Sequence, residues 1–331
     1  MKLRSACAVL VTLAVTAGSA LSAAHERPPV QLAAYYATWA ADAESASGLD
    51  DRLVRIPDGV TEVLLAFMRP DATYAGNLDL TGTGVQVPYS GSVLKASLQA
   101  LKERRPGIRV MVSIGGEEYA NWAGFDARSI RRFVEDFGLD GVDLDFEPRA
   151  PNCRVRAGRT ACDSDALLLD VVEAARSALP RPIAIWLTAT NTGAFGEGAW
   201  REAGPTGGPT YGAFLPLLRD PTRRALLDGI SIMAYDAGPT YRPLEAYAAY
   251  RNHFQGPILI GFTSPPEAWG GHVYTLRKAV ETLGSALEKG ANGAMIFAIG
   301  KDPPPDPGPE RPSPDELLAV LAEATGRART D

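Results

Sequence analysis

Eight short apolar runs recur along the chain, beginning near residues 30, 61, 108, 139, 182, 228, 256 and 292. They read VQLAAYY, TEVLLAF, IRVMVSIGG, LDGVDLDFE, PIAIWLTAT, DGISIMAYD, GPILIGF and NGAMIFAIG. Most lack the apolar-polar alternation of a strand with one wet face, so they are expected to be strands covered on both sides. The segments between them carry helix signals. VLKASLQALKERR is expected to begin at a cap on Ser92 and to stop before Pro106-Gly107. ARSIRRFVEDF stops at Gly138, SDALLLDVVEAARSAL at Pro180 and TLRKAVETLGSALEK at Gly290. A last helix, from Ser313, has Pro314 at its first position and Glu316 three residues past the cap, the pattern of a capping box.

Strands alternating with helices imply a parallel sheet, and eight units about 28 to 47 residues apart suit a closed α/β (β/α)8 TIM barrel. An open doubly wound sheet is the alternative. No dinucleotide fingerprint supports it, because TGTGV at 81–85 does not join a strand to a helix. One barrel over residues 25–331 is expected, with KDPPPDPGPERPSP at 301–314 as a stiff connector to the final helix.

Composition adds compartment and excludes some partners. Hydrophobic residues make up 46% of the 331, enough for a full core. Residues 1–24, MKLRSACAVLVTLAVTAGSALSAA, place Lys2 and Arg4 before an uncharged apolar stretch ending in small residues, the pattern of a signal peptide cleaved near Ala23 or Ala24. A retained membrane anchor is the alternative. Without that segment 31 Lys and Arg face 39 Asp and Glu, a poor footprint for nucleic acid or an anionic membrane. The expectation is a secreted or periplasmic monomer. In an exported chain the neighbouring Cys153 and Cys162 read as a disulfide closing a short loop, with two free thiols as the alternative.

The chemistry concentrates in DGVDLDFEP, residues 140–148. Alternation along a strand puts Asp143, Asp145 and Glu147 on one face and Val142, Leu144 and Phe146 on the other. In a barrel the apolar face meets the helices and the acids point inward, near the C-terminal strand ends where barrel active sites lie. Crowded carboxylates do not all ionise cheaply, so at least one is expected to hold a proton near neutral pH, as a glycosidase acid must. Glu147, nearest the opening, suits that role. A calcium loop would not interleave its ligands with Val, Leu and Phe. A two-carboxylate divalent metal site and a purely structural acid cluster remain as alternatives.

With every acid in place, DGVDLDFE resembles the DxxDxDxE signature of glycoside hydrolase family 18, the chitinases and endo-β-N-acetylglucosaminidases. SIGG at 113–116, MAYD at 233–236, GAMIF at 293–297 and YYATW at 35–39 resemble that family's third, sixth, eighth and first strands, so the likeness covers nearly all of the chain after the leader. The resemblance implies a retaining, cofactor-free enzyme that cleaves β-1,4 linkages next to N-acetylglucosamine, in chitin-like oligosaccharides or in N-glycan cores. A non-catalytic glycan-binding relative is the other class it allows. It makes Glu147 the general acid and then base, and Asp145, backed by Asp143, the group that orients the 2-acetamido substituent as its carbonyl oxygen attacks the anomeric carbon. Tyr235 would hydrogen-bond the acetamido oxygen, Met233 and Asp236 would line the same subsite, Ser113 and Tyr36 would support the inner aspartates, and Asp140 would brace the start of the strand.

Two departures from the family pattern bear on substrate. Its eighth-strand motif usually ends in Trp, the floor under the distorted sugar, and this chain has Phe297, with less stacking area and no N–H. The short spacing from GPILIGF to NGAMIF leaves no room for the α+β insertion that deepens the groove in some chitinases, so a more open cleft is expected. Trp269, in EAWGG after the seventh strand, is a candidate sugar contact. The loop RAPNCRVRAGRTACDSD after Glu147 carries four arginines that either contact an acidic or branched glycan or simply face water. His25, His253 and His272 are scattered, and no G-x-S-x-G elbow supports a serine hydrolase.

Overall fold

The computed structural model describes residues 30–42, 47–267 and 273–327, so the expected leader, residues 1–24, and Trp269 lie outside the described residues. Ten strands occur there: β1 Gln31–Ala37, β2 Glu62–Met68, β3 Arg109–Gly115, β4 Gly141–Asp145, β5 Arg154–Arg156, β6 Arg159–Ala161, β7 Ala184–Ala189, β8 Gly229–Ile232, β9 Ile258–Thr263 and β10 Gly293–Ile299. All but β5 and β6 close a barrel in the order β1-β10-β9-β8-β7-β4-β3-β2, every pair parallel. Each of the eight apolar runs supplies one barrel strand. The reason is burial on both sides: side chains of one parity fill the barrel and those of the other meet the helices.

The helices are α1 Asp51–Val54, α2 Gly91–Arg104, α3 Ala127–Phe137, α4 Asp165–Ala178, α5 Leu215–Arg219, α6 Pro221–Arg224, α7 Pro243–His253, α8 Leu276–Glu288 and α9 Pro314–Arg327. Gly138 ends α3 in the left-handed conformation, at φ 64°, as its place after the last periodic residue predicts. The capping box forms: the Ser313 N–H donates to Glu316 Oε2 at 2.8 Å, and the Glu316 N–H to Ser313 Oγ at 3.2 Å. One cap moves. Ser90, not Ser92, starts α2: its backbone is extended and its hydroxyl accepts the Val93 N–H, and Gly91 fits against the Leu78 carbonyl, which a Cβ would approach to 2.1 Å. Sequence periodicity does not reveal α7, because it buries Ala246, Tyr247, Ala249 and Tyr250 and carries no aliphatic stripe.

Between β9 and β10 the described residues form α8 and its connections, with no α+β insertion among them. β5 and β6 form a separate antiparallel hairpin between β4 and α4, its base joined by the Cys153–Cys162 disulfide. On β4, Val142 and Leu144 are fully buried toward the helices, and Phe146 packs on Trp122 with ring centroids 4.8 Å apart. The other face of the strand is therefore free to carry acids into the barrel mouth.

Candidate active site

Strand register brings the acids together with their donors. Across β3, Ser113 pairs with Asp143 and Gly115 with Asp145; across β7, Asp145 pairs with Thr188. Asp143 Oδ2 accepts from Tyr35 Oη and Ser113 Oγ, both at 2.7 Å, and its Oδ1 accepts from Thr188 Oγ1 at 2.9 Å. Burial raises the Asp143 pKa, and these three donors pull it back. Asp145 is as buried and has no such help: its Oδ1 has no hydrogen-bond partner among the described residues. Burial, then the charges of Glu147 and Asp143, push it well above the usual carboxylate range. The pair thus keeps its charge on Asp143 and its proton on Asp145.

Glu147 lies just past the end of β4, half-buried, and is pushed up to about 7 by burial and then by the nearby charges of Glu117 and Asp236. At neutral pH it is divided between acid and base forms, the condition for a group that must give and then take a proton. Gly115 lets β3 close against β4 just below the acids. Its φ is 102°, and a Cβ there would lie 2.2 Å from the Trp122 ring and 2.4 Å from the Asp145 carbonyl, which accepts the Gly116 N–H at 2.9 Å.

The loop after β8 supplies Tyr235. Its hydroxyl is buried, and burial, reinforced by the neighbouring acids, keeps it protonated as a neutral donor. Asn191 Nδ2 donates to the carbonyls of Tyr235 and Asp236, at 2.8 and 3.3 Å, and Glu267 Oε2 accepts the Asp236 N–H at 2.8 Å. These bonds hold Asp236 at a φ of 51°, where a non-glycine residue needs support. Met233, half-buried, is fixed by its N–H to the Ala189 carbonyl at 2.9 Å.

Phe297 on β10 belongs to an aromatic surface at the mouth. Its ring lies 5.5 Å from Tyr35, 6.3 Å from Phe67 and 6.5 Å from Tyr235, and Phe67 stacks on the 46% exposed Trp39 at 5.9 Å. Trp122 and Trp186 are core residues, and Trp200 is half-buried.

One expected site residue is elsewhere. Tyr36 points out of the barrel, and its hydroxyl donates to Asp50 Oδ2 at 2.6 Å; the tyrosine supporting the aspartates is its neighbour Tyr35. QLAAYYA has no polar position after Gln31 to set its phase, and a one-residue error in phase exchanges the two faces of a strand. Thr188, Asn191, Phe67 and Glu267 also escape sequence reasoning, since only register and loop packing bring them to the site. Glu117 had a visible signal, its place directly after SIGG. Asp140 braces the start of β4 as expected, accepting the Val110 N–H and pairing with Lys102, both at 2.7 Å.

Comparison with known proteins agrees with this geometry. The sequence profile of Glycosyl hydrolases family 18 matches residues 31–200. A stretch of 105 residues is 30% identical to Exochitinase 1 of Streptomyces olivaceoviridis, covering 29% of this chain and 17% of that protein. Another, of 67 residues, is 37% identical to Chitinase B of Serratia marcescens, covering 15% and 13%. These matches span less than a fifth of either relative. Among solved structures, a GH18 chitinase from Pseudoalteromonas aurantia superposes with a TM-score of 0.58 at 18% identity, over 89% of this chain and 99% of that one. Human YKL-39, described as a pseudo-chitinase with retained chitooligosaccharide binding, superposes with a TM-score of 0.60 at 11% identity, over 90% and 100%. At these identities the likeness is one of fold.

Proposed function

Because this chain belongs to glycosyl hydrolases family 18, we propose that it hydrolyses β-1,4 linkages next to N-acetylglucosamine in chitin-like oligosaccharides, with retention and by participation of the substrate's acetamido group. One observation carries the reading. Asp145 is buried with an unpartnered oxygen, between an Asp143 saturated by three donors and a Glu147 pushed to about 7. That oxygen is offered to an incoming amide N–H, and Tyr235 Oη to the amide carbonyl.

The steps follow from those positions. Protonated Glu147 gives its proton to the glycosidic oxygen as the C1–O bond breaks and the acetamido oxygen bonds to C1 from the opposite face. The cyclic intermediate carries positive charge beside Asp145, and the negative charge of the aspartate pair stabilises it. Glu147, now a carboxylate, takes a proton from water as the water oxygen attacks C1 and the acetamido oxygen leaves. Two inversions give retention, and no protein nucleophile is needed. Phe297 and the rings around it supply the apolar floor. The leader sequence supports export, secreted or periplasmic, and the Cys153–Cys162 disulfide suits an oxidising compartment.

The test is release of fluorophore from umbelliferyl chitobioside and chitotrioside, alongside a high-mannose glycoprotein, by wild type and Glu147→Gln. Turnover of the chitosides that Glu147→Gln loses supports the proposal. Cleavage of the glycoprotein alone transfers the activity to N-glycan cores. The smaller Phe297 floor favours one rival, a glycan-binding protein: equal inertness of both forms on every substrate, with chitooligosaccharide still bound, would establish it and reject the enzyme.

A further inference from the structure

The reaction above makes no use of the hairpin that follows its catalytic strand. Register places Arg154 opposite Ala161, Val155 opposite Thr160 and Arg156 opposite Arg159. Alternation then puts Arg154, Arg156 and Arg159 on one face of the ribbon and Val155 and Thr160 on the other. The Thr160 face is fastened to the body. Its N–H donates to Glu197 Oε1 at 2.6 Å, Arg219 bridges Glu197 and the Thr160 carbonyl, and Gly196 and Gly212 leave the room that Thr160 occupies, since a Cβ on either would lie 2.6 Å from its side chain. With the disulfide closing its base, the hairpin is a rigid arm whose three arginines are all exposed.

Its charge is unmatched. Arg156 and Arg159 face each other across the turn at Ala157-Gly158, an arrangement that repels in water, and neither side chain has an ion pair or hydrogen bond among the described residues. Arg149, leading into the arm, is also exposed and has no ion pair among the described residues, and Arg154 reaches Asp163 only at 3.9 Å. Several arginines elsewhere are neutralised: Arg104 and Arg105 meet Asp58, Arg176 and Arg181 share Asp228, and Arg223 meets Glu173 and Asp220. A chain of net charge −6 therefore brings four arginines together on and beside one fixed element. Only six residue steps separate Glu147 from Cys153, so the base of the arm lies within about 22 Å of the catalytic acid.

We infer that this arm binds carboxylate groups carried by the glycan itself, so that the preferred substrate is an anionic N-acetylglucosamine polymer. This rests on the proposed glycosidase reading for its substrate backbone. Guanidinium forks suit carboxylates, and an anion held between Arg156 and Arg159 removes their repulsion. A ligand spanning both Glu147 and the arm is a saccharide chain, and the acidic character of the rest of the molecule disfavours nucleic acid.

The experiment compares carboxymethyl chitin with neutral glycol chitin of matched length. At low salt, kcat/KM favours the anionic polymer; the preference falls about fivefold in Arg156→Gln/Arg159→Gln and is restored in Arg156→Lys/Arg159→Lys. Salt at about 0.5 M, where the screening length is about 4 Å, erases it. Equal use of the two polymers at low salt, or a preference that the glutamine pair retains, overturns the inference. Binding of both polymers to Glu147→Gln separates this from the fate of the hydrolytic reading. A salt-sensitive preference for the anionic polymer, lost with the two arginines, upholds the arm even if no polymer is cleaved, and its absence refutes the arm even if both are.

Discussion

Asp143 and Asp145 are the same side chain in opposite circumstances, and the difference comes from single hydroxyls. Tyr35, Ser113 and Thr188 all serve Asp143, which leaves Asp145 as the member of the pair that changes partners. Asp145→Asn keeps the shape but cannot give up a proton to Asp143 and become the anion beside the intermediate, so kcat is expected to fall by at least about 100-fold. The melting temperature should hold, because the native Asp145 is already neutral; a rate within threefold of wild type would refute acetamido participation. A second prediction concerns Glu267, whose carboxylate holds the Asp236 N–H. The Asp236 charge helps to raise Glu147, so loosening Asp236 with Glu267→Ala lowers the Glu147 pKa and moves the alkaline limb of kcat/KM to lower pH. Glu267→Gln keeps an acceptor for that N–H and should keep the limb in place. Sequence alone reveals the three acids, because alternation with Val142, Leu144 and Phe146 declares their common face. It does not reveal which hydroxyls serve them, because in Tyr35-Tyr36 nothing marks the inward residue.

At the scale of elements, the barrel strands are legible because burial on both faces leaves a continuous apolar run that little else produces. The short polar hairpin β5–β6 has no such mark: RVRAGRT reads as a loop until its packing on Glu197, Gly196 and Gly212 is known. The link between β3 and β4 is where element geometry and chemistry meet. SIGG is legible as a motif, yet the need for Gly115 appears only when the Trp122 ring and the Asp145 carbonyl are seen to fill the space of a side chain. Gly115→Ala combines left-handed strain with overpacking and is expected to cost roughly 3 kcal/mol, read from urea denaturation. It should also reduce activity in the fraction that remains folded, since relief of the clash displaces the Asp145 backbone. A variant with wild-type stability and rate would show that β3 can yield there without disturbing the acids.

For the whole molecule, crowding carboxyls at the barrel mouth ties activity and stability to the same titration. Glu147 and Glu267 are both pushed to about 7, and Asp145 is pushed well above the usual carboxylate range. A carboxyl whose pKa is raised on folding binds more protons in the folded chain than in the unfolded one between its two values, so stability falls as pH rises from about 4.5 to about 7. Asp71, lowered to about 2 chiefly by its hydrogen bonds from Arg69, works the other way: its contribution is present above the ordinary carboxylate value and disappears as pH falls toward 2. The two effects place maximum stability near pH 5, with a decline toward pH 8. Glu147→Gln removes one of the groups that must ionise in that decline. It should therefore melt at a higher temperature than wild type at pH 8, match it at pH 5, and hydrolyse nothing at either. Equal melting temperatures at both pH values would mean that Glu147 is not held protonated by its surroundings, and the acid role assigned to it would lose its physical basis.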